Sequence, residues 1–258
     1  MSSKLKQPGH ADEPTLSEFD GVRYLHFGTE WVQGAMRVKR PAEMVLTYTA
    51  QMMAWLLFLA PSREDETVVL GLGAGSLTRF CLRHLPGSVV TVEWNPRVTA
   101  ICQMYFRLPE VARSRIVHDD AALWVADRQN AGRARALMVD LYDASARGPV
   151  RDSVTFYRDC RRTLGEVGML TVNLFGNHES FPRNIDNLNR AFDDRVVLLP
   201  EIDEGNRIAL AFSGPPLVLA PEALLARAEV VQSQYGLPAV RWARALIGIA
   251  SNDGKLYF

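Results

Sequence analysis

Short apolar runs bounded by turn residues alternate with longer stretches of mixed polarity along most of this chain, beginning near residue 67. The runs at 67–72, 88–92, 115–117, 134–139 and 168–174 are too brief for helices, which predicts strands. Between them, 76–85, 96–106, 121–128, 152–164 and 181–192 read as helices. Strands that alternate with helices imply a parallel sheet covered on both faces. The end of the series differs: 195–199 and 207–213 are joined by a link too short to hold a helix, which fits an antiparallel pair. Upstream, 22–27 and 31–38 flank Gly28-Thr29-Glu30 as a hairpin, and a helix is expected over 42–59, with Pro41 near its first turn and Pro61-Ser62 ending it. Helices at 221–234 and 238–249 close the chain.

The fold class expected from this order is α/β: a Rossmann-like, class I methyltransferase-type seven-strand sheet with one reversed strand and a small N-terminal β-hairpin region. The expected organisation is a disordered N-terminus (1–18), the hairpin and helix (19–62), a nucleotide-binding catalytic domain (63–214) and a C-terminal helical extension (215–258).

Composition narrows the function classes. Lys plus Arg and Asp plus Glu both number 29, so the formal net charge is zero and binding of nucleic acid through a basic field is not expected. The cluster Arg133, Arg135, Arg147 and Arg151 reads as a solvated face. Cys81, Cys102 and Cys160 have neither metal nor disulfide spacing. His26, His84, His118 and His178 likewise lack a metal spacing, and no metal is expected. Residues 1–14 lack the apolar core of a signal peptide, and the apolar stretch 52–60 is too short to span a bilayer. A cytoplasmic protein with no membrane partner is expected.

The strongest chemical signal is Gly71-Leu72-Gly73-Ala74-Gly75-Ser76, between a strand and a helix. Alternate glycines let backbone approach a ligand, and the helix start offers free N–H groups. The spacing is not the G-x-G-x-x-G of dinucleotide folds, which favours an adenosyl nucleoside over a pyrophosphate. Glu93, twenty-two residues after Gly71 at the next strand end, is placed to accept hydrogen bonds from ribose hydroxyls. After the third strand comes Asp119, beside Asp120: a carboxylate there can accept a bond from the adenine amino group, with Leu123 or Trp124 available to pack on the ring, and for either acid alone a helix cap is an equal alternative. Asp140 ends the fourth strand and Asp143 follows in Asp140-Leu141-Tyr142-Asp143. Carboxylates there can stabilise cationic groups and take a proton from an attacking amine; Asp143 fits a turn or cap equally well.

In Gly71–Gly75, Val92-Glu93-Trp94-Asn95-Pro96, His118-Asp119-Asp120-Ala121 and Val139-Asp140-Leu141-Tyr142-Asp143 the chain resembles the spermidine synthase (polyamine aminopropyltransferase) family, over about residues 21–213. The resemblance implies that Glu93 binds ribose, Asp119 binds adenine, Asp140 is the base, Asp143 is the second acid of a D-x-x-D loop, and Gln33 lines the sulfur end. It implies decarboxylated S-adenosylmethionine as co-substrate rather than a permanently bound cofactor, an amine acceptor, methylthioadenosine as product, and a homodimer. The chain departs from the family at Ala74, where an Asp holds the donor's amino group, at Gln51, where a Glu stands, at Ala144, where a proline follows the loop, and at 199–204, which replace a Tyr-Pro segment. His178-Glu179 is a further candidate for the acceptor pocket. Two other readings remain: an S-adenosylmethionine-dependent methyltransferase of the same fold, which Ala74 favours, and a non-catalytic nucleoside-binding paralogue.

Overall fold

The computed structural model describes residues 13–143, 150–202, 205–249 and 255–258. Its centre is a seven-stranded sheet built from β4 (Glu66–Leu70), β5 (Ser88–Val92), β6 (Ser114–Val117), β7 (Ala134–Val139), β8 (Leu164–Phe175), β9 (Val196–Leu198) and β10 (Asn206–Ser213). The order is β6-β5-β4-β7-β8-β10-β9. The β4–β5, β4–β7, β5–β6 and β7–β8 pairs are parallel, and β10 runs antiparallel to both β8 and β9. The architecture is therefore the one the alternating pattern implies.

The inner strands β4, β5 and β7 are buried along nearly their whole length because both faces are covered, whereas the edge strands β6 and β9 are only partly buried. Val69, Met138, Met169 and Leu210 face a core closed by α2 (Ser76–His84), α7 (Pro221–Tyr235), α8 (Ala239–Gly248) and the turn around Trp55. Val68, Leu137, Leu170 and Ala209 face the opposite core under α4 (Ala121–Ala126), α5 (Val154–Thr163) and α6 (Phe181–Phe192). A smaller core joins α3 (Pro96–Tyr105) to the N-terminal sheet through Phe106, Leu25 and Met36.

Three local readings are corrected. Residues 14–18, expected to be disordered, belong to β1 (Pro14–Phe19), which pairs with β2 (Val22–Phe27); Leu16 packs on the small core and supplies the apolar anchor. The N-terminal region is thus a three-stranded antiparallel sheet, completed by β3 (Gly34–Arg37). The expected strand at 31–38 starts late: Gln33 N still bonds to Leu25 O at 2.8 Å, but Trp31 and Val32 lie outside the ladder and, with Gln33, line a cavity.

The expected helix at 42–59 is α1 (Thr47–Gln51) followed by a 3-10 turn, Met52–Leu57. All six residues of that turn are buried, so tertiary packing rather than an amphipathic face dictates their winding. Before it, Glu43 pairs with Arg37 and Arg40, which fixes a bent approach instead of a first helical turn. The C-terminal region carries, besides its helices, the short pair β11 (Val218–Leu219) and β12 (Leu256–Tyr257). Among the described residues no helix is long and apolar enough to cross a membrane.

Candidate active site

A cavity of about 620 Å³ opens over the carboxyl ends of β4, β5 and β7. Gln33, Gly71, Gly73, Glu93 and Asp140 all line it, so five residues singled out in the sequence meet in one space. Aromatic and aliphatic side chains, among them Phe27, Trp31, Trp94 and Phe175, supply its walls. Gly75, Asp119 and Asp143 do not line it.

The glycine turn follows directly from β4. Gly71 still bonds to Val92 O at 2.9 Å, which keeps the turn in line with β5. Gly75 sits behind the turn at the start of α2, against Arg79 and Leu108. Arg79 reaches under the turn from α2. Its guanidinium donates to the carbonyls of Ala74, Pro41 at 2.7 Å and Phe106 at 3.1 Å. The Cys102 thiol donates to Gly73 O at 3.1 Å. On the other side, Ala74 abuts Gly34: a Cβ on Gly34 would stand 2.6 Å from the Ala74 Cβ.

Glu93 is buried, and its oxygens accept from two backbone N–H groups: Leu72 N at 3.0 Å and Asn95 N at 2.8 Å. Burial raises its pKa, and these backbone bonds, with a further one from Trp94, oppose the rise. With three backbone donors on it, the carboxylate keeps about one of its four lone-pair sites for an incoming hydroxyl. At the end of β6 the two-acid ambiguity resolves. Asp120 is the helix cap: its side chain accepts from Ala122 N at 2.8 Å and pairs with Arg151. Asp119 is left outside the cap, with its Oδ1 accepting from Asp120 N at 2.8 Å. Trp124 is buried in the core with Arg133 over its ring, whereas Leu123 is exposed; neither lines the cavity.

Asp140 stands one residue beyond β7. Its Oδ1 accepts from Asn173 Nδ2 at 2.9 Å, and its Oδ2 takes a longer contact from the Tyr48 hydroxyl at 3.4 Å. Burial raises its pKa, and the two donors oppose this. Burial and the neighbouring Asp140 raise the pKa of Tyr142. A half-buried carboxylate that is costly to ionise is a competent proton acceptor for an amine. Asp143 enters through its backbone, its carbonyl accepting from Gln33 Nε2 at 3.1 Å.

His178 does line the cavity, with Nδ1 2.8 Å from Ser180 Oγ. Gln51 is buried beside the chain at Pro200, donating to its carbonyl at 3.3 Å, and does not line the cavity. Glu201 accepts from Asn177 at 3.4 Å; Ala144, Asp203 and Glu204 lie outside the described residues. Asn173 and Asn206 were not singled out in the sequence. Their signal is parity: Met138 pairs with Thr171, so the next same-face positions on β7 and β8 are Asp140 and Asn173. Among the described residues no group of His, Cys, Asp and Glu is placed to hold a metal ion.

A polyamine aminopropyltransferase of Neisseria meningitidis is 33% identical over 246 residues, covering 94% of this chain and 92% of that protein. The chain belongs to the polyamine aminopropyltransferase family. It is a transferase. A second relative of the same description, from Chromobacterium violaceum, is 33% identical over 229 residues and covers 87% of this chain and 85% of its own. No protein-family profile matches. Among solved structures, a probable spermidine synthase of Corynebacterium glutamicum superposes with a TM-score of 0.69 at 15% identity, over 90% of this chain and 89% of that one. Human methyltransferase-like protein 13, in complex with SAH, gives 0.62 at 20% identity over 74% and 93%. Both likenesses bear on the fold. The aminopropyltransferase shares its sheet architecture with methyltransferases, so the choice of reaction falls to the site.

Proposed function

We propose that this aminopropyltransferase moves the aminopropyl group of decarboxylated S-adenosylmethionine to a primary amine and releases methylthioadenosine. The amine nitrogen attacks the methylene beside the sulfonium, the carbon–sulfur bond breaks with its electron pair passing to sulfur, and the proton leaves nitrogen for Asp140. The observation that carries this reading is that Glu93 and Asp140, on different strands, line one cavity. A nucleoside held through its ribose at Glu93 then has its sulfur end within the space that Asp140 faces. The sulfonium is already a good leaving group, so positioning and proton removal are what the protein supplies. In this reading Gln33 lines the sulfur end of the donor, Asp143 is the second acid of its loop and Asp119 reads the adenine. The protein acts as a homodimer, which light scattering tests.

The test is mass spectrometry of an amine incubated with the decarboxylated donor. Gain of an aminopropyl group, lost in Asp140→Asn, supports the reading; no transfer to any of a panel of mono- and diamines rejects it. Ala74 favours a second reading. Without an acid beside the donor tail, the turn presents no charge against a carboxylate, and S-adenosylmethionine itself would be tolerated. Methyl gain from S-adenosylmethionine, in the same assay, would select that reading.

A further inference from the structure

We propose that Asn206 and Asn173 form a two-amide relay that orients the Asp140 carboxylate, with Asn206 locking Asn173 so that its N–H face, not its carbonyl, meets the acid. The inference rests on the reading of Asp140 as the proton acceptor. Asn206 Nδ2 donates to Asn173 Oδ1 at 2.9 Å, and Asn173 Nδ2 donates to Asp140 Oδ1 at 2.9 Å. Tyr142, in the loop that carries Asp140, donates to the Asn173 backbone carbonyl at 3.3 Å.

Sheet register creates the relay. Asn173 pairs with Ile208, and Asn206 with Phe175, so the two asparagines are diagonal neighbours on one face. On that face the same strands carry Met169, Leu210 and Phe212 deeper in the sheet, all in the apolar core. Asn173 and Asn206 are themselves buried. Apolar side chains would pack there without needing partners, whereas buried amides are tolerated only when bonded. The bonds they make lead in one direction, to Asp140.

The lock has a simple physical basis. An Asn side chain can turn over and exchange its oxygen for its nitrogen. If Asn173 turned, its Oδ1 would oppose Asp140 Oδ1 and its NH2 would oppose the NH2 of Asn206. Both contacts would become repulsive, so the Asn206 amide selects the arrangement that supports an ionised acid. With Oδ1 held by this short bond, Oδ2, which has the longer contact from Tyr48, is the oxygen that takes the amine's proton. Among the described residues the other titratable side chains lining the cavity with Asp140 are Glu30, Tyr48, Glu93, Tyr142 and His178, and none lies between Asp140 and Asn173 in the bonded chain.

The relay is tested by titrating the Asp140 carboxyl with carbon-13 NMR, the resonance assigned by its loss in Asp140→Asn. The comparison is between the wild-type protein, Asn206→Ala, the isosteric Asn173→Leu, and the double variant. Both single variants are expected to raise the Asp140 pKa by about one pH unit, the worth of one hydrogen bond to a charged group. The effect of Asn206→Ala is expected to vanish in the Asn173→Leu background, which a packing or through-space effect would not do. In steady state each single variant lowers kcat about tenfold, leaves KM for the donor unchanged and moves the acid limb upward. An unchanged titration in both, or additive shifts in the double variant, overturns the relay. The titration needs no turnover, so a wild-type protein that transfers nothing rejects the proposed function and leaves the relay still measured. Should Asn173→Leu not fold, Asn173→Ser takes its place with the same expected sign.

Discussion

Gly71 lies directly beneath the Asp140 carbonyl: a Cβ at Gly71 would run into that oxygen. The glycine turn and the proposed base are therefore one piece of backbone packing, held by Asp140 N bonding to Leu70 O at 3.0 Å. Gly71 also has φ near 93°, where side chains are strained. Gly71→Ala is expected to cost about 1–3 kcal/mol in backbone strain alone, and more from the clash. It should damage nucleoside binding and the Asp140 geometry together. Calorimetry with methylthioadenosine checks this; wild-type affinity in Gly71→Ala would show that the turn and the base are not coupled.

Glu93 already spends one lone pair of each oxygen on the Leu72 and Asn95 amides. Glu93→Gln would turn an NH2 toward one of those N–H groups, leaving donor against donor. The loss is expected at the ribose and in the turn alike, with affinity for methylthioadenosine falling at least tenfold and Glu93→Ala no better. A thermal shift by methylthioadenosine equal to that of wild type in both variants would remove Glu93 from the site.

Burial holds the Asp140 carboxyl above its ordinary value of 3.8, so ionising it is harder in the folded chain than in the unfolded one. What this group contributes to stability is complete below the ordinary value and is lost as pH rises through the folded one. Asp140→Asn is accordingly expected to raise Tm at neutral pH and to lose that gain below about pH 4, while slowing transfer by on the order of 10²-fold or more. Melting curves across pH, paired with rates, check both halves. A variant less stable than wild type at neutral pH would show that the carboxylate is not under strain.

How much of this was legible in the sequence depends on the kind of interaction. The buried strands and the glycine turn announce themselves through local pattern, because strands covered on both faces must be apolar throughout. Glu93 and Asp140 could be placed because ligands gather at strand ends. Asp119 was expected in the site but does not line the cavity, and which of the two adjacent acids caps the helix stays open in local pattern until backbone geometry makes it Asp120. Asn173 and Asn206 were missed because they meet only through the register of β8 and β10, which local periodicity does not contain. The 42–59 segment was misread as one helix because burial on every side, as at Trp55, removes the amphipathic signal on which winding is judged.

Arg79 provides the last test, because it supports the glycine turn without touching the cavity. It is buried, and desolvation lowers its pKa to about 10, so it remains a cation at neutral pH. Its bonded partners are carbonyls, those of Pro41, Ala74 and Phe106, which tie the N-terminal segment, the turn and the end of α3 to one planar group. A lysine ammonium cannot span these directions, so Arg79→Lys should behave much like Arg79→Met. Each is expected to cost about 3 kcal/mol, which for a chain of this size is a fall of roughly 6–12 °C in Tm. Because the Ala74 carbonyl is one of the three, the turn loosens as well, and the thermal shift caused by methylthioadenosine should shrink. Scanning fluorimetry with and without the nucleoside measures both. If Arg79→Met melted with wild type and kept the full shift, the turn would have to be held by Gly34 and Cys102 instead, through the Ala74 contact and the Gly73 carbonyl.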